Sequence, residues 1–225
     1  MPHVPAHARR RRPWAKRALA LLGALGCVAL ASAAGAEAAP AAGGETEAPT
    51  AVVEGFHGAL IDMMKRSDDM SFDQRVEYLM PVMDETFDLD FMSAKSVGRQ
   101  WKKLSAEEQA AWRAKFSQLT VSNFAGRFVD YSGEMFSTLG NEPAARDTIM
   151  VLTRLDVPGD ESVDMNYRLR ETKEGWRIID IYLKGTVSEL ALRRSEYSST
   201  LKRDGFEKLA EAVDKKIAKL EKDSD

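Results

Sequence analysis

The sequence predicts an α+β fold: a helical half, a curved antiparallel sheet of about four strands forming a cone with an apolar pocket, and closing C-terminal helices. Three observations carry that prediction. Apolar residues recur at three-four spacing from Val52 to Tyr131. After Gly133 the spacing changes to alternation, in strand-like runs separated by short turns. From Val187 the helical spacing returns.

The N-terminus reads as an address. Arg9 to Arg17 is basic, and Ala18 to Ala31 is apolar but shorter than the roughly 20 residues of a spanning helix. Ala31-Ser32-Ala33 and Ala34-Gly35-Ala36 are both of the small-x-small kind that a signal peptidase accepts. Residues 1–36 are therefore expected to be a secretory signal peptide, with a retained N-terminal anchor as the alternative. Cys27 would suit a lipoprotein site, but Ala24 stands where such a site wants leucine. Residues 37–50 are small, polar and rich in Pro and Gly, as a flexible leader would be. Residues 51–222 are expected to form a single domain.

Cleavage would leave no cysteine, and hence no disulfide and no thiolate nucleophile. The six bases of the leading segment would go too, leaving 26 bases against 35 acids, a balance of −9. A nucleic-acid binder needs the opposite excess.

The elements follow in order. Val52, Val53, Phe56, Leu60, Ile61 and Met64 lie on one face of a first helix that ends at Ser67-Asp68-Asp69. Ser71-Phe72-Asp73-Gln74 is a capping box opening a second, and Pro81 is expected to end or kink it. Val82, Met83 and Phe87 suggest a short further piece. Phe91, Met92, Val97 and Trp101 suggest another. Ser105-Ala106-Glu107-Glu108 opens the longest helix, along which Trp112, Phe116, Leu119, Asn123, Phe124, Phe128 and Tyr131 step. A stripe that broad must pack on a large apolar surface.

Strands are expected near Met135 to Leu139, Asp147 to Val157, Ser162 to Thr172 and Trp176 to Lys184. In the third, Val163, Met165, Tyr167 and Leu169 alternate with Asp164, Asn166, Arg168 and Arg170. Short turns between consecutive strands make an antiparallel meander. Two helices, Val187 to Lys202 and Phe206 to Leu220, close the chain around Gly205. Alternation does not distinguish a filled cone from a hollow one, whose mouth would be a ligand site.

Catalytic groups are sparse. His57 is the one histidine beyond the leading segment, set between apolar turns, and has no partner at metal-ligand spacing. Asp84, Glu85, Asp88 and Asp90 lack the ligand order of a calcium loop and read as a solvated acidic face. Asp180, between Ile179 and Ile181, must be paired or hydrogen-bonded if buried. It reads as a tie from the sheet to a loop or an arginine. The alternative is a cone-fold isomerase or dehydratase using Asp180 with a tyrosine such as Tyr167 or Tyr182. The ten methionines suit either ordinary core filling or an adaptable apolar surface.

The chain resembles the MlaC, or toluene-tolerance (ABC-transporter auxiliary), family of lipid carriers. The resemblance is carried by Phe87-Asp88 with Phe91-Met92, by Val97-Gly98-Arg99-Gln100-Trp101, and by Leu104 to Gln109 with Phe116. Its most specific piece is Gly175-Trp176-Arg177-Ile178-Ile179-Asp180-Ile181. Gly185, Ser188, Arg194, Tyr197, Gly205 and Leu209 extend it along the C-terminal part. Lys184 departs from the family, which carries an acidic residue there. Thr186 to Ala191 with Arg193 to Tyr197 looks closer to the hopanoid-associated branch called HpnM.

The resemblance implies a non-enzymatic periplasmic shuttle with no cofactor beyond its cargo. The cargo would be a phospholipid or a hopanoid-type lipid, held by its apolar body. It would be exchanged between an inner-membrane transporter and an outer-membrane acceptor complex. Each buried methylene contributes about 0.8 kcal/mol, so acyl chains need such cover to cross water. From the alternation, the pocket lining is expected to be Ile149, Val151, Met165, Tyr167, Ile179, Ile181 and Leu183, with Phe116, Phe124 and Phe128 from the long helix. Asp180 and Trp176 are assigned to structure.

Overall fold

The computed structural model describes residues 47–224. The expected signal peptide, with Cys27, lies outside the described residues, as does the leader up to residue 46. Helix α1 spans Glu47–Arg66 and buries Val53, Phe56, Leu60, Met63 and Met64. It starts earlier than the expected end of the leader at Thr50. Pro49 is tolerated there because first-turn amides have no intrahelical partner to lose. A 3-10 turn, Ser67–Asp69, ends the helix where the sequence places the stop.

Helix α2 spans Phe72–Thr86, and its capping box is complete. Gln74 N donates to Ser71 Oγ at 3.2 Å, and Ser71 N donates to Gln74 Oε1 at 2.8 Å. Pro81 does not end this helix, contrary to the expectation, and Val82 and Met83 belong to its last turns. Pro81 and Glu77 are both exposed, so the carbonyl that loses its donor is left to water. Helix α3, Leu89–Ser96, is capped by Asp88, whose Oδ1 accepts from Phe91 N at 2.9 Å. A 3-10 turn follows at Gly98–Lys103.

Helix α4, Ala106–Arg127, opens with the second capping box and buries Trp112, Phe116, Leu119 and Phe124. Phe128 and Tyr131 lie beyond its last residue. Trp112 is fully buried, and its indole donates to Ser93 O at 3.0 Å and Ser96 Oγ at 3.1 Å, locking α3 onto α4.

Strands β1 (Met135–Ala144), β2 (Thr148–Asp156), β3 (Val163–Thr172), β4 (Gly175–Leu183) and β5 (Val187–Ser188) form one open sheet in chain order, every pair antiparallel. The fifth strand takes the two residues expected to begin the penultimate helix. Ser188 instead caps helix α5, Glu189–Asp204, accepting from Ala191 N at 3.0 Å. Gly205, at φ 84°, turns the chain into helix α6, Phe206–Ser224.

Strand β4 does not alternate strictly. Arg168 pairs with Asp180 but Leu169 pairs with Ile178, so Ile179 is an extra residue on β4. Ile178, not Ile179, therefore shares the inner face with Ile181 and Leu183. The irregularity also anchors the helical half: Asp88 N donates to Ile178 O at 2.9 Å, and Phe87 bridges to Ile178. Arg170 Nε then donates to Asp88 Oδ2 at 2.7 Å. Of the acidic cluster, Asp88 is thus a cap and an ion-pair partner, and Asp90 lies 3.6 Å from Arg113 Nε.

Candidate functional site

The inner face of the sheet is filled at one end and hollow at the other. Helix α1 fills the first end. Phe56 meets Phe87, Phe124 and Tyr167 edge-on at 4.9, 5.1 and 6.2 Å between ring centroids. His57 stacks on Phe136 at 3.8 Å, and Phe136 stacks on Phe128, which stacks on Phe124. These rings form the partition between the solid core and the hollow.

The hollow lies between α4, strands β3 and β4, and the start of α5. Its atom-free space is about 1070 Å³ counting the open mouth. Six of the expected lining residues border it: Phe116, Phe124, Phe128, Met165, Ile181 and Leu183. Four expected residues do not. Val151 and Tyr167 are fully buried, and Ile149 packs against the same core, on a part of the inner face that α1 covers. Ile179 is displaced by its place as the extra residue of β4.

The wall includes residues that the alternation did not single out as lining. Leu119, Thr120, Asn123 and Arg127 complete the α4 face that Phe116 and Phe124 begin. Thr120 Oγ1 donates to Phe116 O and Asn123 Nδ2 to Leu119 O, each at 2.7 Å, so both spend their donors on their own helix. Glu189, Arg193 and Tyr197 stand on one face of α5 at four-residue spacing and close the opposite side. Met92, Val163, Lys184 and Leu190 add to the lining.

Strands β2 and β3 part beside this cavity. Thr153 N donates to Asn166 Oδ1 at 3.0 Å, and Thr153 Oγ1 donates to Met165 O, so side chains replace ladder bonds at the position of Met165.

The titratable groups divide into two kinds. His57 and Tyr167 lie behind the aromatic partition, with His57 Nε2 and Tyr167 Oη 3.0 Å apart. Burial pushes the His57 pKa down to about 3 and the Tyr167 phenol far up. His57 is thus a satisfied core residue. Asp180 does border the cavity, and burial raises its pKa, opposed by its hydrogen bonds. Oδ2 accepts from Ser188 Oγ at 2.6 Å. Oδ1 accepts from Ile181 N at 2.8 Å and Leu190 N at 3.0 Å. Asp180 therefore ties the sheet to the first turn of α5, the structural role expected of it.

Arg127 carries a pKa pushed down to about 10, first by burial and then by Arg193, with Glu189 opposing. Burial likewise raises Glu189, and pushes Tyr197 up to about 12. Glu189 Oε2 lies 4.0 Å from Arg193 Nη2, an ion pair without a close hydrogen bond.

A search of curated proteins finds no match. Among solved structures, the chain is similar to a phospholipid-binding protein from Ralstonia solanacearum, determined in complex with a phospholipid. The TM-score is 0.67 at 20% identity, over 76% of this chain and 97% of that one. The likeness is one of fold: helices against an open antiparallel sheet. The model of the MlaC protein family matches residues 55–215, from the third turn of α1 to the middle of α6. That span takes in the long helix, the whole sheet and both sides of the cleft, and the chain belongs to the MlaC family.

Proposed function

We propose that this protein is a periplasmic lipid-binding shuttle. It carries a phospholipid or hopanoid-type lipid between inner- and outer-membrane systems and performs no chemistry on it. The observation that carries the reading is the cleft between α4 and β3–β4, lined mainly by apolar side chains and open to solvent. The phospholipid held by the Ralstonia protein of the same fold supports it. Membership in the MlaC family, whose members work in the periplasm, supports the location and the exchange with an inner-membrane transporter and an outer-membrane acceptor complex.

Energetically the cleft needs only to be dry. An acyl chain withdrawn from water gains about 0.8 kcal/mol per methylene, enough to hold a lipid during transit without a covalent bond. Met165, with its flexible thioether, is the side chain of the lining best suited to adapt to an entering chain. Asp180 offers no base for catalysis in this reading, because both its oxygens are held by a hydroxyl and two amides.

The test is extraction of the exported protein after purification from a membrane-bearing host, followed by mass spectrometry. About one equivalent of co-purified lipid is expected. Protein that emerges free of lipid, and stays so after incubation with vesicles, would reject the shuttle.

A further inference from the structure

Buried polar groups in this protein are mostly matched, as Trp112, Thr153 and Asp180 illustrate. Among the described residues, three that are unmatched border the cleft, one from α4 and two from the facing α5. Arg127 Nη1, Glu189 Oε1 and Tyr197 Oη are all sealed from water and lack a hydrogen-bond partner. Arg193 stands among them, near the Tyr197 hydroxyl and at long range from Glu189. A buried polar atom without a partner is a standing cost, so three around one cavity point to a ligand that completes them.

The chemistry of the set defines that ligand. Two guanidiniums and a phenol supply donors, and one carboxylate oxygen supplies an acceptor. Positive charge is in excess, with Arg127, Arg193 and Lys184 against Glu189 and Asp180, and Asp180 is already engaged by two amides and Ser188. The complement is an anion bearing a hydrogen-bond donor of its own. Among lipids, a phosphodiester head with a hydroxyl or a primary ammonium has that form. A fully methylated ammonium offers Glu189 no N–H. Diacylglycerol and uncharged polycyclic lipids offer the arginines no anion.

We propose that Arg127, Arg193, Glu189 and Tyr197 form a headgroup subsite within the cleft, selecting phosphodiester lipids whose heads carry an N–H or O–H donor. The inference rests on the cleft being a lipid site, and it favours a phospholipid over an uncharged hopanoid as cargo. Helix geometry makes the set a unit: Glu189, Arg193 and Tyr197 follow at four-residue spacing on α5, facing the last residue of α4.

The exported protein, stripped of lipid, is incubated with vesicles holding equal parts of phosphatidylethanolamine, phosphatidylcholine and diacylglycerol with matched chains. Native mass spectrometry then reads which class is bound. The wild type is expected to favour phosphatidylethanolamine over each of the other two by about tenfold, the scale of one charge-assisted hydrogen bond. Arg127→Met should lower the phosphatidylethanolamine-to-diacylglycerol ratio by about tenfold, and Arg127→Lys should recover part of it. Glu189→Met should erase the preference over phosphatidylcholine. Because each readout is a ratio within one sample, partial loss of folded protein does not imitate the effect. A wild type without class preference, or an Arg127→Met variant with the wild-type ratio, overturns this inference alone. A wild type that loads nothing overturns the shuttle reading and this inference together.

Discussion

His57 Nε2 and the Tyr167 hydroxyl lie 3.0 Å apart with both residues sealed from water, the histidine clamped by the parallel ring of Phe136. Burial keeps the imidazole neutral, with its pKa near 3 against 6.5 in the open chain. Below pH 6.5 the unfolded chain takes up a proton that the folded chain refuses. Stability present above pH 6.5 is therefore lost as pH falls toward 3. Between pH 7 and pH 5 this one group removes on the order of 2 kcal/mol. His57→Gln keeps a polar partner for Tyr167 and cannot titrate. Urea melts at the two pH values should show the difference shrinking by that amount, and an unchanged difference would assign the acid sensitivity elsewhere.

Met165 forms the floor of the cleft, paired across strands with Leu183. Met165→Trp should fill the space and reduce co-purified lipid severalfold, with the thermal midpoint within a few degrees of wild type. Lipid content equal to wild type would remove Met165 from the lining.

Asp180 joins β4 to the first turn of α5 through Ser188 and Leu190. Asp180→Ala strands that buried amide and hydroxyl and should cost about 1–3 kcal/mol. Asp180→Asn keeps an acceptor for Leu190 N and should cost less. Chemical denaturation of the pair checks the order, and equal losses would mean the cap contributes little.

Trp112→Phe removes the indole donor that serves Ser93 O and Ser96 Oγ. The expected loss is about 0.5–1.5 kcal/mol of stability, the scale of one net hydrogen bond, because the Ser93 carbonyl keeps its bond from Ser96 Oγ. Lipid occupancy measured on the folded fraction should match wild type, since Trp112 does not border the cleft.

The sequence carried the helices well because their signals are local. Both capping boxes and the stop at Ser67 came from residues within one turn of each other. Pro81 misled because the cost of a missing amide depends on whether water reaches the freed carbonyl, which is a tertiary fact. The sheet order followed from the short turns. Ile179 was misplaced because two adjacent isoleucines hide an inserted residue from any count of alternation. Val151 and Tyr167 do face inward, but alternation gives a face and not what covers it. The polar wall was within reach. Arg127 continues the α4 stripe one turn beyond Asn123, and Glu189, Arg193 and Tyr197 form their own stripe. An arginine on an apolar stripe is a signal that a search for oily residues passes over.

The extra residue in β4 leaves that strand free to shorten but not to lengthen. Deleting Ile179 would leave Ile178, Ile181 and Leu183 in strict alternation on the inner face, with the ladder to β3 in register at both ends, and would remove only the bend that a bulge puts into a strand. Inserting one more residue after Ile179 has the opposite outcome. With the Trp176 end held in place, Tyr182 would swing inward and Ile181 and Leu183 outward, and the floor of the cleft would turn inside out. Point substitutions can drift through this strand, but an added residue would empty the hollow of its floor.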